Sequence, residues 1–390
     1  MADDPQASTH RYGMAVRLSL FYVAFFGMIG VYMPFWPVWL VSRGLEPTEI
    51  GLLLGIAAGV RLFSAPLIAG AGDRFGRRQR LATALAIGAL ATFSLYAWTR
   101  GFWPILAVTM LFTVVWSPLM PLGETLVNLT IRRHGLQYGP IRLWGSLGFI
   151  AAAVIGGRVL VGRPDDIIFW LLLGLVAATA ASCGLLPEAP PNDEGGRRPP
   201  LRSVLANPGF LLFLTAAGLI QSSHGVYYGF GTLYWKTLGY SEAVIGALWA
   251  EGVIAEVVLF AFSARITRRF SPPALILIGA LAAVVRWTVT GLTGALPAVA
   301  LMQVLHALTF GATHLGAITF IMQRVPPALS ATAMSLYGSV LAGLAMGASI
   351  LLSGPLYAAF GGGAYLAMTG IGLIGAGLAL ILAHRMVNQP

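Results

Sequence analysis

The sequence predicts an all-α membrane protein of twelve transmembrane helices in two six-helix halves, and three observations predict it. Hydrophobic residues make up 57% of the 390, charged ones only 10%, and the mean hydropathy is +0.80. One water-soluble core cannot hide that much apolar side chain, so lipid must be the solvent for most of the chain. Twelve apolar runs have spanning length, and one polar stretch divides them six and six.

A spanning helix needs roughly 20 mainly apolar residues, because every backbone polar group in lipid must be satisfied inside the segment. Such runs lie near 18–40, 49–70, 80–99, 102–128, 139–162, 166–186, 208–233, 242–263, 274–294, 297–322, 331–356 and 362–384. Residues 1–10 are polar with two acids, and the first apolar run is long and lacks a small-residue cleavage pattern, which predicts an uncleaved first span. Between Pro187 and Pro208 stands PEAPPNDEGGRRPPLRSVLANP, whose prolines, glycines and charges predict a cytoplasmic linker at 188–207 between halves 1–187 and 208–390. Glycine and proline within YMPFWPVWL, SPLMPLGE and HGVYYGFG predict kinks and close helix contacts.

The net charge of +10 invites a nucleic-acid reading until the charges are located. They lie in short loops between apolar runs. With the N-terminus inside, the cytoplasmic face holds Arg11, Arg17, Arg74, Arg77, Arg78, Arg80, Arg132, Arg133, Arg197, Arg198, Arg202, Arg265, Arg268, Arg269, Arg324 and Arg385. The other face holds Arg43, Arg100, Arg158, Arg163 and Lys236, while Arg61, Arg142 and Arg286 fall within spans. That asymmetry puts both termini in the cytoplasm. The single cysteine, Cys183, sits in an apolar run, which excludes an internal disulfide and predicts a lipid-facing or core-filling side chain.

Ionisable side chains inside a span cost several kcal/mol unless paired or hydrated, so each is a functional candidate facing the bundle interior. They are Arg61, Glu124, Arg142, Glu251, Glu256 and Arg286, with His224, His306 and His314. Glu124 and Arg142 lie symmetrically about Arg133, so a short hairpin brings them to one depth, as a solute site or as a hairpin-stabilising ion pair. Glu256 and Arg286 are symmetric about Ser271, and Arg286 and His306 about Leu296, which sets all three at a common level near mid-membrane. There desolvation favours the neutral acid and a neighbouring guanidinium the carboxylate, so the acid can gain or lose a proton when its partner moves. An imidazole ordinarily titrates near neutral pH, so His306 can relay a proton or hydrogen-bond a solute. For His224 and His314, a neutral histidine satisfied between helices stands level with a functional one. Trp116, Trp144, Phe149, Tyr227, Tyr228 and Trp287 sit beside these positions, as packing or as rings that stack on a solute.

Between the second and third spans stands GAGDRFGRRQR, residues 70–80. Its Asp-Arg-x-Gly-Arg-Arg order resembles the signature of the major facilitator superfamily. The usual leading glycine falls at Ala69, and the matching loop SARITRRFSP keeps basic residues without an acid. The resemblance makes Asp73, Arg74, Gly76, Arg77 and Arg78 a conformational motif, in which Asp73 holds helix ends together through charge and helix-dipole contacts. It narrows through YMPFWPVWL, SPLMPLGETL, YGPIRLWGSLGF, YYGFGTLYW, VIAEVVLF, VVRWT and VLHALTFGATHL, in order along nearly the whole chain. Together these resemble the phenylpropionate permease group, kin of lactose permease and the nucleoside/proton symporters.

That resemblance implies a proton-coupled symporter of the twelve-helix fold and leaves the solute open. Glu124 and Arg142, the latter in a YGxxRxxG motif, match an acid and an arginine that bind sugar in lactose permease. Glu256, Arg286 and His306 match the acid, arginine and histidine of its sugar and proton site. The proton-carrying carboxylate one turn after that histidine falls here at Thr309, which cannot titrate. Proton coupling is therefore expected from Glu256 first, with Glu251 and Glu124 behind it, acting with Arg286 and His306. The expected solute site comprises Glu124, Arg142, Trp144, Glu256, Arg286, His306, His224 and Tyr228. A small organic acid or aromatic carboxylate is the first expectation for the solute, held by Arg286 or Arg142, and a sugar or nucleoside the second. A non-transporting receptor of the same fold is the third reading. HExxH, GxSxG and Cys-His arrangements are absent from the sequence, so neither an enzyme, a cofactor nor a metal is expected. The expected setting is a bacterial-type inner membrane, with a monomer whose partners are solute, protons and lipid.

Overall fold

A computed structural model describes residues 5–75, 77–188 and 201–388, and their side chains apart from those of 5–10, 70–75, 201, 331, 341–342 and 387–388. The described residues build helices joined by short turns. Among the described residues eleven stretches are long and apolar enough to cross a membrane, and the last, Pro327–Met386, has 60 residues. At 1.5 Å per residue that is about 90 Å, some three bilayer cores, so it must hold more than one crossing. It breaks at Gly361, whose φ of +52° is open to glycine and costly for other residues, and a 3₁₀ turn Gly361–Gly363 leads into the last helix, Ala364–Asn388. Twelve spans result among the described residues.

Several spans are not regular helices. The first runs unbroken over Pro5–Ser42 despite Pro34 and Pro37. The fourth, Phe102–His134, is interrupted at Ser117–Pro118, and the seventh, Pro208–Thr237, between Ser222 and Gly225. The tenth, Leu296–Arg324, contains a π-helical turn at Ala307–Ala312, and a second lies at Val340–Ala345 in the eleventh. The third ends in a 3₁₀ turn, Leu95–Trp98.

The chain forms two compact units: Met1–Leu45 with Val60–Glu194 and Ser241–Ala250, and Glu46–Gly59 with Gly195–Tyr240 and Glu251–Pro390. The first is centred on aromatic rings. Trp36 stacks on Trp39 at 4.4 Å, Phe93 on Phe169 at 5.8 Å, and Tyr96 packs edge-on against both tryptophans while its hydroxyl meets Thr109 Oγ1 at 2.7 Å. The second has a core of Phe213 stacked on Phe320 at 4.3 Å, with Tyr337 beside them. Cys183 is buried, a core filler.

Of the conformational motif, Gly76 lies outside the described residues, as do the side chains of Asp73 and Arg74. Arg77 is exposed ahead of the third span, and Arg78, its first residue, is buried. Next to it Gln79 ties the third span to the sixth, donating from its side chain to the Cys183 and Gly184 carbonyls.

Candidate functional site

In the first unit the hairpin between the fourth and fifth spans turns at Gly135, whose φ of +60° caps the helix Leu119–His134. It brings Arg142 Nε to 3.9 Å from Glu124 Oε1, both side chains partly exposed. The Tyr138 hydroxyl donates to the same carboxylate at 3.2 Å. Arg142 also lies over aromatic faces, its Cζ 4.2 Å from the centre of Phe26 and 5.4 Å from that of Tyr22. A guanidinium held between a carboxylate and two rings is fixed in direction while keeping donors for a ligand. Gly145 makes room: a Cβ there would stand 2.8 Å from both Arg142 Nη1 and Phe26 Cδ2. Trp144 is half-exposed and Phe149 buried, while Trp116 stacks on Phe25 at 5.0 Å.

In the second unit Arg286 is fully buried. Its Nη1 donates to Thr309 Oγ1 and lies against His306 Nδ1, both at 3.1 Å, and its Nη2 donates to Gln303 Oε1 at 3.0 Å. Its Cζ sits 4.4 Å from the Trp287 ring centre and 4.7 Å from that of Tyr227. The far nitrogen of His306, Nε2, is 3.6 Å from Glu256 Oε2. Arginine, histidine and acid therefore do share a level, with the imidazole standing between the two charges.

Thr309 occupies the turn after His306 and does more than omit a carboxylate. Its hydroxyl touches Arg286 Nη1 and also His224 Nε2, at 3.0 Å, while His224 Nδ1 is 3.0 Å from the Gln221 carbonyl. His224 stands in the break of the seventh span, stacked on Tyr228 at 5.4 Å and edge-on to Trp287. Trp287 in turn donates to Ser223 Oγ at 2.9 Å. The π turn at Ala307–Ala312 widens the helix where Thr309 must reach both neighbours, a place where such turns are common.

The structure thus gathers Glu256, Arg286, His306, His224 and Tyr228 in one unit, and Glu124 with Arg142 in the other. His314 stands apart, its Nδ1 3.2 Å from the Tyr337 hydroxyl, and Glu251 and Arg61 sit partly buried and exposed respectively in their spans. Gln303, Gln221, Tyr138, Tyr22 and Phe26 complete the two sites, and a search for Asp, Glu, His, Lys and Arg within the spans does not find them. The signal open to a sequence reader was position: Gln303 lies one turn before His306, and Phe26 and Tyr22 one turn apart.

Residues 15–367 match the model of the MFS_1 like family. The chain is 35% identical over 369 residues to the probable 3-phenylpropionic acid transporter of Escherichia coli (strain K12), covering 91% of this chain and 94% of that protein. It is 27% identical over 384 residues to the maltose permease of Geobacillus stearothermophilus, covering 96% and 97%. Among solved structures it is similar to the nucleoside transporter NupG, with a TM-score of 0.80 over 96% of this chain and 98% of that one, at 15% identity. That likeness shows the major facilitator fold.

Proposed function

The chain belongs to the MFS_1 like family, and from that premise we propose that it is a proton-coupled symporter importing a small organic carboxylate, an aromatic one first, by alternating access. It is a multi-pass membrane transporter and not an enzyme, as its relatives are. The observation that carries the carboxylate reading is Arg286. A guanidinium wholly buried in a membrane protein and hydrogen-bonded to Thr309, Gln303 and His306 retains most of its charge, which a solute anion would balance. The rings of Tyr227 and Trp287 over its faces suit an aromatic solute, and the likeness to a probable 3-phenylpropionic acid transporter supports that class.

Glu256 is the proton carrier in this reading. It reaches the guanidinium through His306, so a change in the solute's contact with Arg286 alters what the acid feels. The chain works as two six-helix halves, 1–187 and 208–390, joined by the linker 188–207, in a bacterial cytoplasmic membrane with both termini inside.

A second reading, a sugar or nucleoside as solute, is favoured by Glu124, Arg142 and Tyr138, whose mixed donors and acceptors suit hydroxyl groups, and by the likeness to maltose permease. Uptake into proteoliposomes separates the two. Radiolabelled 3-phenylpropionate should accumulate under an imposed pH gradient and collapse with a protonophore, and Glu256→Gln should abolish accumulation while solute exchange stays measurable. Accumulation of a galactoside or nucleoside with no uptake of any acid would replace the first reading by the second. Binding without flux would decide for a receptor.

A further inference from the structure

Four buried polar atoms of the second unit meet no hydrogen-bond partner among the described residues: Thr313 Oγ1 and, grouped elsewhere, the three atoms Arg286 Nε, Tyr365 Oη and Trp235 Nε1. All three side chains are fully buried, and they converge. Tyr227, Gly231 and Trp235 are spaced four apart in the helix Gly225–Thr237 and so share a face. The Trp235 ring lies 6.0 Å from that of Tyr227, and Arg286 Cζ sits 4.7 Å from the centre of the same ring. A Cβ built on Gly231 would stand 3.2 Å from both Tyr365 Oη and Tyr227 Cδ2, so the Tyr365 hydroxyl comes down on this face as well. The Tyr365 ring then stacks on Trp287 at 5.7 Å, which carries the guanidinium on its own face at 4.4 Å.

Unmet buried polar groups cost about 1–3 kcal/mol each, and native interiors keep few of them. Three around the single ring of Tyr227 ask for an acceptor that no described side chain supplies. Its chemistry is narrow. Arg286 Nε and Trp235 Nε1 can only donate, and the Tyr365 hydroxyl is able to. The partner must therefore accept at more than one atom and should carry negative charge beside the guanidinium, which describes a carboxylate. The Nη atoms of Arg286 are already turned to His306, Thr309 and Gln303, so the Nε edge is the one left for it.

Resting on the carboxylate reading above, we infer that the solute's carboxylate is held on the Nε side of Arg286 by Arg286 Nε, Tyr365 Oη and Trp235 Nε1, with its ring against Tyr227 and Trp287. Tyr365 and Trp235 are then specificity residues for the anion. The test is equilibrium binding of 3-phenylpropionate and of its neutral amide to the full-length protein in detergent, for the wild type, Tyr365→Phe and Trp235→Phe. Each variant should bind the acid at least roughly tenfold more weakly, the weight of a hydrogen bond to a charged group, while the amide, whose carbonyl is a neutral acceptor, loses clearly less, and Tyr365→Phe keeps the ligand-free melting temperature of the wild type. Undiminished binding of the acid by both variants overturns the subsite and leaves the carboxylate reading standing. Equal losses for acid and amide would reduce the two residues to packing and overturn it too. A wild type that binds sugars or nucleosides and no carboxylate overturns the carboxylate reading, and the subsite with it.

Discussion

Nη1 of Arg286 lies 3.1 Å from Nδ1 of His306, and because a guanidinium can only donate, the imidazole must offer a lone pair there. A neutral His306 then carries its proton on Nε2, the nitrogen 3.6 Å from Glu256. The ring therefore has two separable jobs, accepting from the arginine and facing the acid. An asparagine at 306 keeps an acceptor near the Nδ1 position and nothing at Nε2, whereas a glutamine reaches toward Glu256 and leaves Nη1 short of one partner. His306→Asn is expected to keep solute exchange within about fivefold of the wild type, the weight of one neutral hydrogen bond, and to lose accumulation driven by a pH gradient. His306→Gln is expected to impair exchange more than its Asn counterpart does. Identical losses in both assays for both variants would show that the histidine only packs.

Thr309 meets, in a fully buried place, one donor of Arg286 and the Nε2 of His224, and without it each would be short of a partner. Valine has nearly the same shape and no hydroxyl. Thr309→Val is expected to destabilise the protein by about 1–3 kcal/mol for each group left unsatisfied, seen as a lower melting temperature, while Thr309→Ser stays close to the wild type. If valine melts as threonine does, the hydroxyl contributes nothing to holding Arg286.

Arg142 depends on the glycine one turn after it. A methyl group on Gly145 would press on both Arg142 Nη1 and Phe26, at 2.8 Å, so the guanidinium must leave the ring or the ring must turn. Gly145→Ala is expected to weaken solute binding severalfold with a modest loss of stability, about 1–3 kcal/mol for overpacking. Arg142→Lys should also fail in transport, because a point charge replaces neither the planar contact with Phe26 nor the fork toward Glu124. Wild-type transport in both variants would remove this site from the solute's path.

The spans were legible because lipid leaves the backbone only the helix or the closed barrel, and unbroken apolar runs of roughly 20 residues announce the helix. The pairs were legible too, since two helices joined by a tight turn must bring positions equidistant from it to one depth, as Glu124 with Arg142 and Arg286 with His306 show. Such symmetry gives depth and not direction. It set Glu256 at the level of Arg286 without indicating that His306 would stand between them. The neutral partners were hidden for a different reason. Gln303 and Thr309 look like ordinary span residues until the π turn at Ala307–Ala312 and the break at His224 aim them at the guanidinium. Likewise Trp235 and Tyr365 lie 130 positions apart, in spans that no short turn connects.

Gly51 and Gly354 show where small residues are required. Both belong to the second compact unit, and a Cβ built on Gly51 would lie 2.7 Å from the Gly354 Cα and 2.9 Å from its nitrogen. A Cβ on Gly354 would lie 2.8 Å from the Pro47 carbonyl oxygen. These are backbone atoms, which cannot turn aside as the end of a side chain does, so the two helices would have to separate. Gly59 is two turns further along the same helix and would place a methyl with nothing inside 4 Å. Gly51→Ala and Gly354→Ala are expected to lower the melting temperature, at a cost of about 1–3 kcal/mol, and to cut transport with it. Gly59→Ala should be neutral or slightly stabilising, since it only removes backbone freedom from the unfolded chain. Melting curves for the three variants, measured in one detergent, check this, and an alanine at position 51 as harmless as one at 59 would mean that the helices do not approach so closely.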